Sequence, residues 1–432
     1  MASSSHDLES RKLVLVLGGG FGGVRTALDL DRLLPPDYSI VLVDKRAYHL
    51  PHWQLYETAT VYMLRENRQD FEEIEALVGI PYKDIFKGSR VQFVQASVRE
   101  VFLSDRSVAL SFPSVESEEN SANLAGLLHF SHLVVALGAE TNYFGIAGLS
   151  ERSYGLKDLD DALNLRDSLT ELFSRKKRGD AISVVVGGGG FTGVEFAGEL
   201  PGFLQKCAVR FGLDYKDVEL TIIEEGKSLL PGAKPWLVAR ARMRLSKLGI
   251  NVTLGSRILR FEKGKVYCAG GDTITADLLI WTAGVRANSL LERIVGAELS
   301  KTSMLVDEHL RLALYPHVYG IGDNVFCFDP VQNCPVPRTA QRAVDQAKVA
   351  AYNIAASIEG TPLRSYTPRN PLFIVPIGGK YALADMRGLR LEGALAWCAK
   401  MGVGFLYLVS ILPLTSAIRL SWKSIVLYTA ND

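Results

Sequence analysis

The chain has 432 residues, with 48 Lys and Arg against 47 Asp and Glu and a formal net charge of +1 at pH 7. That balance gives no footing for nucleic acid as a partner. A hydrophobic fraction of 48% with 22% charged residues excludes disordered and collagen-like chains, and the length predicts about two or three domains. The five cysteines, at 207, 268, 327, 334 and 398, form no CxxC pair and no metal-ligand spacing. A disulfide scaffold and a metal site are therefore not expected, and a reducing compartment is.

From the N-terminus, Met1 to Ser10 is short and polar, without the apolar core of a secretory signal or the arginines of a transit peptide, and reads as a lead. Lys12 to Leu17 (KLVLVL) then predicts a buried strand, followed at once by Gly18-x-Gly20-x-x-Gly23 and a helical stretch from Val24 to Leu34. A second strand, Ser39 to Val43, ends in Asp44. The first glycine permits a tight turn, the second lets backbone amides approach a pyrophosphate, and the third lets helix and strand pack closely. The helix N-terminus favours phosphate charge, and a strand-terminal carboxylate accepts ribose hydroxyls. His49 and His52 have no further ligand cluster around them and are expected to pack in the loop beside the nucleotide.

The unit recurs. Ala181 to Val186 predicts a strand, Gly188-x-Gly190-x-x-Gly193 follows, Val194 to Leu204 reads as helix, and the strand Val218 to Ile223 is closed by Glu224. Two such units in one chain mean two bound nucleotides. Glu225, beside Glu224, disfavours a 2′-phosphate, so the second unit is expected to prefer NADH over NADPH; Arg260 and Lys263 are the distant basic alternatives. A third segment, Val318 to Asn324 (VYGIGDN), predicts a strand ending in Gly322-Asp323, an acid placed to bind a ribityl hydroxyl. One of the two nucleotides is then expected to be FAD, because two nicotinamides would bring no electron acceptor.

The C-terminus carries 18 consecutive uncharged residues, Met401 to Ile418, between Lys400 and Arg419. As one helix they would reach about 27 Å, the lower limit for spanning a bilayer. Pro413 and the glycines at 402 and 404 are expected to break the run into two segments lying in the interface. Trp422, Tyr407, Tyr428, Arg419 and Lys423 suit the headgroup layer. The alternative for this stretch is a dimer interface or a core hairpin.

In these segments and their order the chain resembles the type II NADH dehydrogenases, single-subunit NADH:quinone oxidoreductases of the two-dinucleotide-fold flavoprotein superfamily. LVLGGGFGGVRTAL resembles the FAD fingerprint, YHLPHWQLYETAT the loop after the ribose acid, and VVALGAETNYFGIAG, which contains Gly138, the flavin-domain strand and crossover. VVVGGGGFTGVEFAGEL resembles the NADH fingerprint, LLIWTAGVRAN the strand returning from it, and VYGIGDN with TAQRAVDQA the second flavin motif and the helix start near the quinone.

The resemblance implies roles. Gln341 hydrogen-bonds flavin or quinone, and Glu195 is a proton-handling group near nicotinamide and flavin. Asp323 holds the ribityl chain, Ala340 presents a backbone amide to the flavin pyrimidine, and Ala283-Gly284 passes close to the nicotinamide nucleotide. It also implies a homodimer and a membrane anchor in the C-terminal hairpin. The sequence departs from the pattern at Asp345-Gln346, where the family often has the glutamine one place earlier, at Trp53, where proline is common, and in a charged stretch at 65–80. Disulfide reductases of the superfamily need a cysteine pair after the first unit, and residues 24–206 contain no cysteine.

The expected architecture is α/β: two Rossmann-like, doubly wound parallel-sheet domains, one inserted in the other, plus a membrane-associating helical segment. The flavin domain takes 11–150 and 305–390, the NADH domain 151–304 and the anchor 391–432. The expected activity is FAD-dependent, non-proton-pumping hydride transfer from NADH to flavin, then two electrons to a membrane quinone, at the cytoplasmic face of a cell membrane. A soluble NADH-dependent flavoprotein reductase with a protein acceptor is the rival; it would not need residues 401–428.

Overall fold

In a computed structural model the described residues are 12–62, 78–113, 125–300, 302–329, 333–369 and 372–429. The lead at 1–10, most of the 65–80 stretch, and the side chains of Cys334 and Tyr428 lie outside them. The chain opens with β1 (Lys12–Leu17), α1 (Phe21–Leu33) and β2 (Tyr38–Asp44). The short helix α2 (Leu55–Thr58), β3 (Val91–Gln95) and β4 (His132–Val135) follow. The second repeat is β5 (Ile182–Gly187), α3 (Phe191–Arg210) and β6 (Val218–Ile223). After it come α4 (Pro235–Lys247), β7 (Asn251–Thr253) and β8 (Leu278–Trp281), then β9 (Arg311–Leu312), β10 (Tyr315–Gly320) and α5 (Ala340–Glu359). The chain continues with β11 (Phe373–Pro376), β12 (Ala382–Met386), β13 (Leu389–Gly393), α6 (Ala394–Ile411) and α7 (Leu414–Thr429).

These elements divide into two compact units. One takes its residues from Met1–His49, Gly79–Glu140 and Arg286–Arg369, the other from Leu50–Val78, Thr141–Val285 and Asn370–Asp432. The first unit is built on a six-stranded sheet in the order β9-β10-β4-β1-β2-β3, parallel except for the β9–β10 pair. The apolar runs of β1 and β2 are buried on both faces, as a parallel sheet covered by helices requires. Helix α1 buries Val24, Ala27 and Leu30, the i, i+3 spacing of one apolar stripe, and stops before Pro35-Pro36. Against α1 runs α5, whose buried face is mostly alanine (Ala343, Ala347, Ala350, Ala351), so the two helices approach closely. Thr339 caps α5 and Gly360, at φ +70°, ends it.

The second unit holds a fully parallel four-stranded sheet, β7-β6-β5-β8. The α/β class and the two doubly wound parallel sheets expected from the sequence are thus borne out. The unit also contains the antiparallel ribbon β11–β13 and both C-terminal helices. Asp385 in β12, 2% exposed, accepts from Lys234 Nζ at 2.9 Å, Trp236 Nε1 at 3.0 Å and the Gly388 amide at 3.1 Å. These bonds hold its carboxyl down at about 2, the Lys234 and Trp236 donors contributing most. Arg244 of α4 donates to the Ile377 and Gly378 carbonyls, 3.0 Å each, with its guanidinium over the Tyr381 ring.

The units divide the chain at other places than the sequence-based domains, because side chains from 50–62 and 372–411 pack with the second sheet's helices. Trp53 stands edge-on to Tyr407 of α6, ring centres 5.2 Å apart, and Gln54 Nε2 donates to Ser424 Oγ of α7 at 3.3 Å. The C-terminal run breaks at Leu412-Pro413, as expected. The expectation that Gly402 and Gly404 also break it is corrected: both lie inside α6, where i→i+4 bonding continues through them. A glycine in a helix costs only about 1 kcal/mol, less than an apolar turn contributes.

Candidate functional site

In the first unit, register fixes which residues meet. Leu17 pairs with Val43 and Val135, and Val135 pairs with Gly320. Gly18, Asp44, Gly138 and Asp323 therefore all emerge at the carboxyl edge of one parallel sheet, where the strand order reverses and doubly wound folds bind ligands. Gly18 has φ +98°, and a Cβ there would lie 2.3 Å from the Ala136 carbonyl oxygen. A Cβ on Gly23 would sit 1.8 Å from the Gly18 carbonyl oxygen, while one on Gly20 would meet nothing within 4 Å. Two glycines are demanded by the protein itself, and the middle one faces open space, as close approach of a pyrophosphate would require. The Asp44 carboxylate accepts from the Gly19 amide (2.6 Å) and the Arg46 amide (2.8 Å), leaving lone pairs for a ribose diol.

Two residues the motif does not contain lock this loop. Tyr82, 1% exposed, donates its hydroxyl to the Gly19 carbonyl at 2.8 Å, and His49 Nδ1 lies 2.9 Å from the same oxygen. His49 is fully buried, edge-on to Phe21, and burial pushes its imidazole down to about 4. It is neutral at pH 7 and serves the loop, as its position in the sequence predicts. Nothing in the sequence near Tyr82 marks it; only the fold brings it to Gly19.

The second unit repeats the arrangement. Gly187 pairs with Ile223 and Trp281, so Gly188, Glu224 and Ala283 share one sheet edge. Gly188 has φ +114° and a Cβ on it would reach the Ala283 Cα at 2.6 Å; one on Gly193 would reach the Gly188 oxygen at 1.9 Å; one on Gly190 meets nothing. Glu224 accepts from the Gly189 amide and the Gly226 amide, 2.6 Å each. Gly284 lies against the Phe144 ring. Glu225 is exposed, and the basic group nearest it is Arg257 (4.0 Å), not the expected alternatives; Arg260 instead lies over the Tyr267 ring and pairs with Glu262.

At the end of β10, Gly322–Asn324 forms a tight turn carrying Asp323. The Gly322 amide donates to Gln346 Oε1 at 2.7 Å, and Asn324 Nδ2 donates to the Val135 and Ile321 carbonyls, 2.9 Å each. Gln346 is 2% exposed. The glutamine displaced by one place in the sequence therefore turns inward and braces the Asp323 turn. Ala340 and Gln341 sit exposed on the first turn of α5.

Glu195 lies on the second turn of α3, half-buried, and burial pushes its carboxyl up to about 8. The Lys400 ammonium opposes that shift, and Glu57 and Glu199 add to it. Lys400 Nζ is 2.6 Å from Glu57 Oε1, and both side chains are nearly shielded, 13% and 12% exposed. Nothing in the sequence pairs Glu57 with Lys400, since a partner 343 positions away carries no local signal. Among the described residues no group of three or more His, Cys, Asp and Glu is arranged to hold a metal ion.

Two dinucleotide-type cradles, one in each unit, define a pyridine-nucleotide oxidoreductase. Residues 12–347 match the pyridine nucleotide-disulphide oxidoreductase family, and the chain belongs to it. Within that family the expected resemblance is borne out. The chain is 29% identical over 422 residues to the type II NADH:quinone oxidoreductase of Staphylococcus aureus, covering 91% of this chain and 99% of that protein. It is 27% identical to the enzyme of the same name from Staphylococcus saprophyticus, over 90% and 93% of the two chains. The fold matches the NDH2 of Plasmodium falciparum, solved in complex with NADH, with a TM-score of 0.79 at 19% identity, over 98% and 97% of the chains. It also matches the sulfide:quinone oxidoreductase of Aquifex aeolicus, with a TM-score of 0.74 at 20% identity, over 92% and 91%.

Proposed function

We propose that the chain is an FAD-dependent, non-proton-pumping NADH:quinone oxidoreductase, with FAD held by the first unit and NADH by the second. The observation that carries this reading is the duplicated cradle, each with an open middle glycine and an acid-capped second strand. Bound FAD supplies the carrier that takes a hydride's two electrons from NADH and passes them to quinone. Gly18, Gly20, Gly23, Asp44, Gly138, Asp323 and Ala340 would hold it; Gly188, Gly190, Gly193, Glu224, Ala283 and Gly284 would hold the nicotinamide nucleotide.

Gln341 offers an amide donor and acceptor from an exposed helix start, suited to a quinone or flavin carbonyl. Glu195, protonated at neutral pH, holds a proton that quinone reduction consumes. Glu224 and Glu225 together set the preference for NADH over NADPH. Helix α6 is long and apolar enough to cross a bilayer, with a mean hydropathy of 1.6 and 17% of it buried. Followed by α7 beyond the Pro413 break, it supports peripheral attachment to a membrane, which we place at the cytoplasmic face; a homodimer accords with the resemblance.

The test is stopped-flow flavin absorbance on detergent-purified protein, mixing NADH or NADPH first and a short-chain quinone second. Fast bleaching by NADH, bleaching by NADPH at least about tenfold slower, and fast recovery with quinone are expected. Bleaching without recovery would overturn the quinone reading and direct attention to a protein acceptor.

A further inference from the structure

Glu57 of α2 pairs with Lys400 of α6, and both act electrostatically on Glu195 of α3, as does Glu199 of the same helix. Helix α2 is only four residues long, yet it is tightly braced. Thr58 Oγ1 donates to the Gln54 carbonyl at 2.7 Å and Thr60 Oγ1 to the Tyr56 carbonyl at 3.0 Å, and Leu55, Tyr56 and Thr58 are buried. From this helix Glu57 takes the Lys400 ammonium at 2.6 Å, which also stands 5.0 Å over the centre of the Tyr56 ring. Lys400 is the one charged residue of the otherwise apolar helix α6. The groups acting on Glu195 are thus Lys400 from α6, Glu57 from α2 and Glu199 from its own helix. Glu57 and Lys400 act on it in opposite senses while being bonded to each other.

We infer that Glu57 is a positioning residue for proton handling: it fixes the Lys400 ammonium against α2 and so sets the balance of charge that Glu195 feels. Without this partner the charge of the shielded lysine would be less offset at Glu195, on which it already acts. With Glu57 in place the ammonium's charge is offset, and Glu195 keeps its proton through the neutral range. The inference rests on the reading of Glu195 as the group that holds the consumed proton.

The test follows the pH dependence of flavin reoxidation by quinone in the FAD-loaded enzyme, beside an infrared difference titration of the protonated carboxyl band without turnover. Glu57→Gln removes a negative neighbour and releases Lys400, so the titration of Glu195 moves to lower pH by about one unit. Lys400→Met moves it to higher pH by a similar amount, and the double variant returns toward the parent. A merely structural contact would lower stability in both single variants and shift neither titration, or shift both the same way; either result overturns the inference. If Glu57→Gln does not fold, adding it to Lys400→Met still reads its effect, expected as a downward shift. Glu195→Gln separates the two claims. Loss of the titration in that variant with no shift in Glu57→Gln overturns the positioning role alone, whereas a titration that survives Glu195→Gln overturns the Glu195 reading and the inference with it.

Discussion

At the residue scale, the two fingerprints can be told apart by substitution. Gly18→Ala forces a Cβ to within 2.3 Å of a backbone oxygen at φ +98°, so the purified protein should lose most of its flavin, read as the flavin-to-protein ratio. Gly188→Ala meets the Ala283 backbone at 2.6 Å and should keep flavin while raising the KM for NADH about tenfold or more. Identical consequences for both variants would contradict the assignment of one nucleotide to each unit. His49 gives a pH dependence. Its imidazole is held down at about 4 from an ordinary 6.5, so an unfolded chain binds a proton in that window that the folded one refuses. Stability should therefore fall by up to about 3 kcal/mol as pH drops from 6.5 to 4. His49→Gln should flatten that limb of a denaturation series, and an unchanged limb would assign the acid lability elsewhere.

At the scale of elements, α3 does several jobs along one axis. Its first turns carry Gly193 and Glu195, and one turn later Gly198 lies so close to the ribbon that a Cβ would be 2.9 Å from the Ile377 Cα. Both sides of that contact are backbone, so no rotamer relieves it. Gly198→Val should cost about 1–3 kcal/mol and lower the melting temperature by several degrees. Asp385 secures the other side of the ribbon. Because its carboxyl is held down at about 2, the stability it contributes is present above the ordinary carboxylate value and lost as pH falls toward 2. Asp385→Asn should cost about 1–3 kcal/mol at pH 7, since its Trp236 and Gly388 donors remain while half-exposed Lys234 returns to water. Urea unfolding of both variants checks these values.

At the scale of the molecule, the C-terminal helices expose Leu395, Val403, Leu406, Val409, Leu414, Ile418 and Trp422, a larger apolar surface than isolated exposed leucines would give. Leu406→Glu puts a charge at a position 68% exposed, where the fold should tolerate it. Binding to anionic liposomes should fall about tenfold or more, from the transfer energy of one leucine. Reduction of a water-soluble acceptor by NADH should be unchanged. Equal liposome binding by parent and variant would return this surface to a protein–protein role.

What the sequence determined is what local spacing determines. The glycine triplets, the strands before them and the acids closing the next strands lie within about 40 residues of each other, and each is where the motif places it, because the chemistry of a dinucleotide turn is local. The break at Pro413 is equally local, a missing amide and a fixed φ. The tertiary structure alone decided what depends on distant partners. Tyr82 and His49 reach Gly19 through the fold, and Gln346 turns inward because Gly322 presents a free amide to it. Glu57 meets Lys400 across most of the chain's length because the fold brings their side chains to 2.6 Å. Glu195 is visible in the sequence as an acid near a helix start, but its raised proton affinity comes from burial and charges on three elements, which no spacing along the chain records.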